Sequence, residues 1–154
     1  MSTLETNRLL LREYKNSDLL KLHEILSDPV TMSFRGEPFT LELTKDWIER
    51  CICSYREHRY GRGAVILKEN GEMIGDAGNM LTDIYGKTDN DPGYIICSRY
   101  WKRGYGTEAA GACKKYAFEI PGIKRLCVSM PANHIASIRV AEKIEMAKVK
   151  EFII

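Results

Sequence analysis

The sequence predicts an α/β domain in which helices flank a mixed, mostly antiparallel sheet, and three stretches carry that prediction. Ala64 to Leu67 and Met73 to Met80 are apolar runs joined across Asn70-Gly71, a strong short hairpin signal. Leu19, Leu22, Ile25 and Leu26, then Trp47, Ile48, Cys51, Ile52 and Tyr55, repeat at helical spacing. Gly93 to Cys97 reads as a strand, Arg99 to Gly106 as a basic glycine-bearing turn, and Thr107 to Phe118 as an Ala-rich helix.

In chain order, Arg8 to Tyr14 alternates weakly between Asn7 and Asn16-Ser17 and reads as the first strand. Asn16 or Ser17 caps the first helix, which Ser27-Asp28-Pro29 ends, and Thr40 caps the second. Gly75 and Gly78 inside the second hairpin strand point to a bent strand or a close approach. Thr82 to Pro92 is polar and aperiodic, which predicts an exposed loop bordering the site. Arg125 to Met130 is a short β-rich run stopped by Pro131. Asn133 then starts a helix with Ile135, Ile138, Ala141 and Ile144 on one face, and a last strand is expected from Ala147 to Ile154. The order is βααβββαβα plus that strand. Joined by a helix, the Gly93 and Arg125 strands should run parallel.

The turn before the third helix is the chemical centre. A helix N-terminus presents unpaired N–H groups, glycines let an anion approach them, and Arg99, Lys102 and Arg103 add full charge, so the stretch reads as a phosphate or diphosphate pocket. A plain tight turn is the structural alternative. Gly104-x-Gly106-x-x-Ala109 also fits a dinucleotide fingerprint, but Ser98 to Arg103 separate it from the strand, and Lys124-Arg125 stand where a ribose-binding acid is needed. No Gly-Lys-Ser/Thr follows, which removes a P-loop.

Tyr100-Trp101-Lys102-Arg103-Gly104-Tyr105-Gly106-Thr107-Glu108-Ala109 resembles the acetyl-CoA diphosphate loop of the GNAT superfamily of N-acetyltransferases. Glu5 to Arg12 is similar to the opening strand of the branch that contains the ribosomal-protein-alanine N-acetyltransferases, and Asn133 to Lys143 is similar to its last helix. The resemblance implies one acyl-CoA N-acyltransferase domain over residues 1–154, whose parallel strand pair splays to admit the pantetheine arm. It implies acetyl-CoA as cosubstrate, held by Lys102, Arg103, Gly104, Tyr105, Gly106, Thr107, Asn133 and Ser137 and by the strand at Ile95, Ile96 and Cys97. It also implies an amine acceptor: a protein N-terminus first, a polyamine, amino acid or antibiotic amine behind it. Phe34 and Tyr55 fall in the region that forms an acceptor wall, with core packing as their alternative.

Thioester aminolysis needs a neutral amine, a stabilised oxyanion and a proton for the thiolate. Asp91 is the candidate base, and as an Asp before Pro it is equally a turn residue. A strand N–H within Ile95 to Cys97 is the oxyanion donor. Many superfamily members place a Tyr where Ala141 stands; Ser137 or water supplies the proton here, or the thiolate leaves unaided, its pKa being about 8.5. Ala141, Glu145-Met146 in place of the expected Gly-Phe, and an end at Ile154 short of the usual terminal strand motivate an alternative, a silent acyl-CoA-binding module. An apolar Phe152-Ile153-Ile154 at an open sheet edge predicts a homodimer.

Composition narrows the classes. With 154 residues, an apolar share of 44% and a net charge of +2, the chain suits one packed domain without the global field of a nucleic-acid or membrane-surface binder. The five cysteines form no C-x-x-C pair, and His23, His58 and His134 are isolated, so neither a metal nor a disulfide framework is expected. No signal-peptide pattern or membrane-length apolar run occurs, and a cytoplasmic location is expected.

Overall fold

A computed structural model describes residues 3–84, 86–149 and 151. Its centre is a five-stranded antiparallel sheet in sequential order, β1 (Leu4–Glu5), β2 (Leu9–Arg12), β3 (Arg62–Leu67), β4 (Met73–Ile84) and β5 (Lys87–Ile96). Helices α1 (Leu19–Leu26) and α2 (Leu41–His58) cover one face, and α3 (Tyr105–Glu119) covers the other, with α4 (Ile135–Lys143) against α3.

Strand alternation sorts the core into those two layers. Ala64, Met80 and Ile95 join Leu22, Ile25, Leu26, Ile48 and Cys51 on the α1/α2 side. Leu9, Leu11, Val65, Ile74, Ala77 and Ile96 join Ala109 and Cys113 on the α3 side. Both expected helical stripes are therefore core faces. Thr40 caps α2 as expected, its hydroxyl accepting the Leu43 N–H at 3.1 Å. At α1 the capping group differs. Asn16 and Ser17 lie inside a 3-10 turn, and the Asp18 carboxylate accepts the Lys15 N–H instead.

The hairpin at Asn70-Gly71 forms, with Gly71 at φ 72° and a register slip between Val65 and Ile66. The two glycines of β4 mark close approaches. A β-carbon would meet the Ile95 carbonyl oxygen at 2.3 Å from Gly75 and the Gly61 carbonyl oxygen at 2.2 Å from Gly78.

Three expectations are corrected. Thr82 to Pro92 is no loop: β4 and β5 continue as an antiparallel ribbon from Gly75↔Ile96 to Ile84↔Lys87. Arg125 to Met130 is not a strand either, since its parallel pairing is confined to an Asn90↔Leu126 bridge. Ala147 to Val149 carry no strand; Phe152 to Ile154, on which the expected dimer contact rested, lie outside the described residues.

The reason that bridge stops is local. Asn90 accepts the Cys127 N–H at 2.9 Å, Tyr94 accepts from Arg35 and Ile96 accepts from the Trp101 indole, whereas the Cys97 N–H turns inward to Ile74. Even-numbered residues of β5 thus direct their main-chain groups to the free edge. The next even position is Pro92, which has no N–H, so the parallel ladder cannot continue and the segments diverge.

Candidate functional site

The turn expected to hold an anion presents a run of main-chain donors. From Lys102 to Thr107 no main-chain N–H has an acceptor among the described residues; the flanking groups do, Trp101 N–H on Ser98 and Glu108 N–H on Gly104. Lys102 at φ 62° and Gly104 at φ 82° turn the backbone left-handed, and Gly104 is the N-cap of α3. Successive N–H groups curled this way at a helix N-terminus form an anion-binding concavity. Lys102 and Arg103 are exposed beside it.

This loop is braced by residues that sequence reasoning missed. Glu108 accepts the Arg8 main-chain N–H at 2.9 Å, Arg8 Nε at 2.8 Å and the Thr6 hydroxyl. Arg8 in turn donates to the Arg103 carbonyl at 2.9 Å and lies over the Tyr105 ring, 4.3 Å from its centre. Burial pushes the Glu108 carboxyl up, but the Thr6 and Arg8 hydrogen bonds and the Arg8 charge outweigh it and hold the group below its ordinary value. Glu108 at least lies within the singled-out loop motif; no short-range signal ties it to Arg8.

The free edge of β5 lies next to the loop. Of the strand amides expected near the acetyl group, Cys97 N–H is bonded to Ile74, and the alternation turns Ile95 inward as well. Ile96 is the residue of that trio whose N–H faces the gap. The Tyr94 ring lies under α3, so close that a β-carbon on Gly106 would be 2.9 Å from it. Its hydroxyl is 3.4 Å from Ser137 Oγ on α4, and burial raises its pKa, which keeps it a neutral proton donor. Tyr94 was not among the expected site residues, yet it brings a hydroxyl to Ser137. Asn133 is exposed just before α4, and its carbonyl accepts the Ile135 N–H.

On the opposite face of β5 lie Asp91, Gly93 and a buried charge network. Asp76, fully buried, accepts from Arg62 Nε at 2.5 Å, Trp47 Nε1 at 2.8 Å and the Tyr14 hydroxyl. The Arg62 guanidinium fills the space over Gly93, where a β-carbon would fall 2.1 Å from Nη1. The Asp91 carboxylate has no hydrogen bond among the described residues; burial pushes its pKa up, with Arg62 and Arg35 pulling the other way.

The expected acceptor-wall residues part company. Phe34 is exposed and stacks on His134, ring centres 4.0 Å apart, bridging the α1–α2 connection to the start of α4. Tyr55 is buried, its hydroxyl accepting the Tyr14 N–H at 3.1 Å and donating to the Arg62 carbonyl, so it holds the core and has no free face for a substrate. No group of three metal-binding side chains occurs among the described residues.

Comparison with known proteins places this geometry. The model of the acetyltransferase (GNAT) domain family matches residues 8–147. The uncharacterized protein YkkB of Bacillus subtilis (strain 168) is 32% identical, over 93% of this chain and 84% of its own length. A GNAT-family acetyltransferase structure from Bacillus anthracis is 26% identical, covers 95% of this chain and 84% of its own, and superposes with a TM-score of 0.79. The ribosomal L7/L12 alpha-N-protein acetyltransferase RimL, solved with coenzyme A, shares the fold at a TM-score of 0.77 and 16% identity, covering 94% of this chain and 83% of its own.

Proposed function

The chain belongs to the GNAT family and is an acyl-CoA-dependent N-acetyltransferase, and from that premise we propose that it moves the acetyl group of acetyl-CoA to a primary amine at a peptide or protein N-terminus. The observation that carries the reading is the run of unpaired N–H groups from Lys102 to Thr107 at one end of the opened edge of β5. The residues fit the cosubstrate. The loop amides, with Lys102 and Arg103, hold the diphosphate; the edge at Ile96, with Asn133, aligns the pantetheine amides; and the thioester lies beside the gap left at Pro92.

Asp91 takes the proton of the attacking amine, a role suited to a desolvated carboxylate with no competing donor. The Tyr94 N–H, the free-edge amide next to Pro92, donates to the carbonyl oxygen as it gains charge. Tyr94 and Ser137 stand in for the tyrosine that Ala141 replaces, and return a proton to the thiolate. RimL is described as acting on a protein α-amine, and its fold likeness supports the N-terminal acceptor over a polyamine or antibiotic amine.

The test pairs binding with turnover. Calorimetry should show CoA binding that weakens at least tenfold in Arg103→Glu with Gly104→Val, because a β-branched residue resists φ 82° and its Cβ would meet Arg8 Nη2 at 3.3 Å. Thiol release from acetyl-CoA should depend on added peptide amine. Unchanged CoA affinity in the double variant, or no thiol release with any amine, would overturn the proposal.

A further inference from the structure

The α1/α2 side of β5 presents opposite charges that do not meet. Asp91 offers a carboxylate without a hydrogen bond among the described residues. Tyr94, three residues on and about 10 Å away at the rise of a strand, holds the Arg35 guanidinium through its carbonyl, at 2.9 Å. Arg35 and Asp91 feel one another's charge but form no ion pair among the described residues. Between them lies Gly93, with no side chain of its own and the edge of Arg62 over it.

Two further observations give this slot a polarity. Arg62 is 4% exposed, and its Nη2 has no acceptor among the described residues, although Nε is bonded to Asp76. A buried guanidinium edge of this kind is an unusual feature in a folded protein and calls for a partner. The network's own carboxylate does not supply it: Asp76 accepts from Arg62 at Nε alone, and from Tyr14 and Trp47 besides. His134 nearby is stacked on Phe34, and burial with the Arg35 charge lowers its pKa, which favours the neutral ring.

Resting on the acetyltransferase reading above, we propose that the acceptor is an amine carrying its own carboxylate a few bonds away, with the amine at Asp91 and the carboxylate on Arg35 and the Arg62 edge. A carboxylate is the group whose two oxygens match the fork of a guanidinium. A polyamine would bring a second cation toward Arg35 and be disfavoured. Two sources share the required chemistry: a free α-amino acid, and a peptide whose N-terminal residues include Asp or Glu.

The experiment compares acceptors that differ only in that charge. Thiol release from acetyl-CoA is measured with α-amino acids against their amides, and with N-terminal Asp or Glu peptides against their Asn or Gln twins. In the matching pair the carboxylate form should be favoured about tenfold or more in kcat/KM, chiefly through KM. Arg35→Ala, a change at an exposed residue, should collapse that ratio toward one, and Arg35→Lys should restore part of it. Calorimetry of the same ligands on the CoA-loaded protein separates the two ideas. Carboxylate-dependent binding without turnover would sink the transferase reading and uphold the slot, whereas turnover with equal preference for acid and amide, or an Arg35→Ala ratio as high as the wild type, overturns the slot alone.

Discussion

Replacing Asp76 by Ala tests whether the charge network under β5 holds the fold together. Asp76 is fully buried and is the acceptor for Arg62 Nε, the Tyr14 hydroxyl and the Trp47 indole. Its removal leaves a guanidinium that is 4% exposed without an ion-pair partner among the described residues, Asp91 acting on it only from a distance, and two neutral donors without acceptors. Breaking a buried pair from one side costs about 3–5 kcal/mol, and each stranded donor adds about 1–3 kcal/mol unless it finds a new acceptor. Against a total stability of about 5–15 kcal/mol, the variant should be marginal. Urea unfolding followed by tryptophan fluorescence should show the midpoint fall steeply with little change in slope. A heat scan should show the transition drop by roughly 6–20 °C from the broken pair alone, at about 2–4 °C per kcal/mol for this size, and further for each stranded donor. The exposed Lys68–Glu5 pair is the control, and Lys68→Ala should cost far less. A loss below about 1 kcal/mol in Asp76→Ala would refute the reasoning, because it would mean that Arg62 is satisfied by some other group.

Two further outcomes follow from the site. Asp91→Asn should lower kcat/KM by about 10²–10⁴ and remove the acidic limb of its pH profile, while raising neutral-pH stability, since a carboxyl pushed up by burial is destabilising when ionised; a slower enzyme with an unmoved pH limb would argue against a base at this position. Glu108 is held below its ordinary value, so its stabilisation is complete above the unfolded pKa of about 4.3 and is lost as pH falls through the lowered folded value; Glu108→Gln should flatten that acid loss in stability and weaken CoA binding at pH 7, both read by calorimetry.

The donor-rich turn before α3 was legible because its parts are contiguous: Lys102, Arg103, Gly104 and Gly106 lie within one turn, and its shape follows from local backbone freedom. The helical stripes and the Asn70-Gly71 hairpin were legible for the same reason. What escaped was long-range or depended on the partner strand. Arg8 and Glu108 are a hundred residues apart, and Tyr14, Trp47, Arg62 and Asp76 come from four different stretches, so no window contains the network. Thr82 to Pro92 read as a loop because a ribbon projecting beyond the core has no apolar face to give a period of two; its pairing is main-chain, which sequence pattern does not record. Arg125 to Met130 has strand-forming residues, yet the ladder they would join is interrupted at Pro92 on the other side.

That proline shows how one strand serves two substrates. Along β5, odd positions send side chains toward α1 and α2, giving Asp91, the bare Gly93 and the core residue Ile95. Even positions send side chains toward α3, giving Tyr94 and Ile96. The same even positions turn their main-chain groups to the free edge, where Pro92 keeps the neighbouring segment from closing. In the transferase reading the face of Asp91 is the acceptor's, the face of Tyr94 is the thiolate's, and the opened edge between them is the pantetheine's. Because strand alternation is strict, moving the register of β5 by a single residue would exchange these surfaces and put a side chain where Arg62 now lies against Gly93. In that reading the separation of acceptor from cofactor is a consequence of the pleat, and a loop that grips the diphosphate would be effective only while β4 fixes β5 in this register.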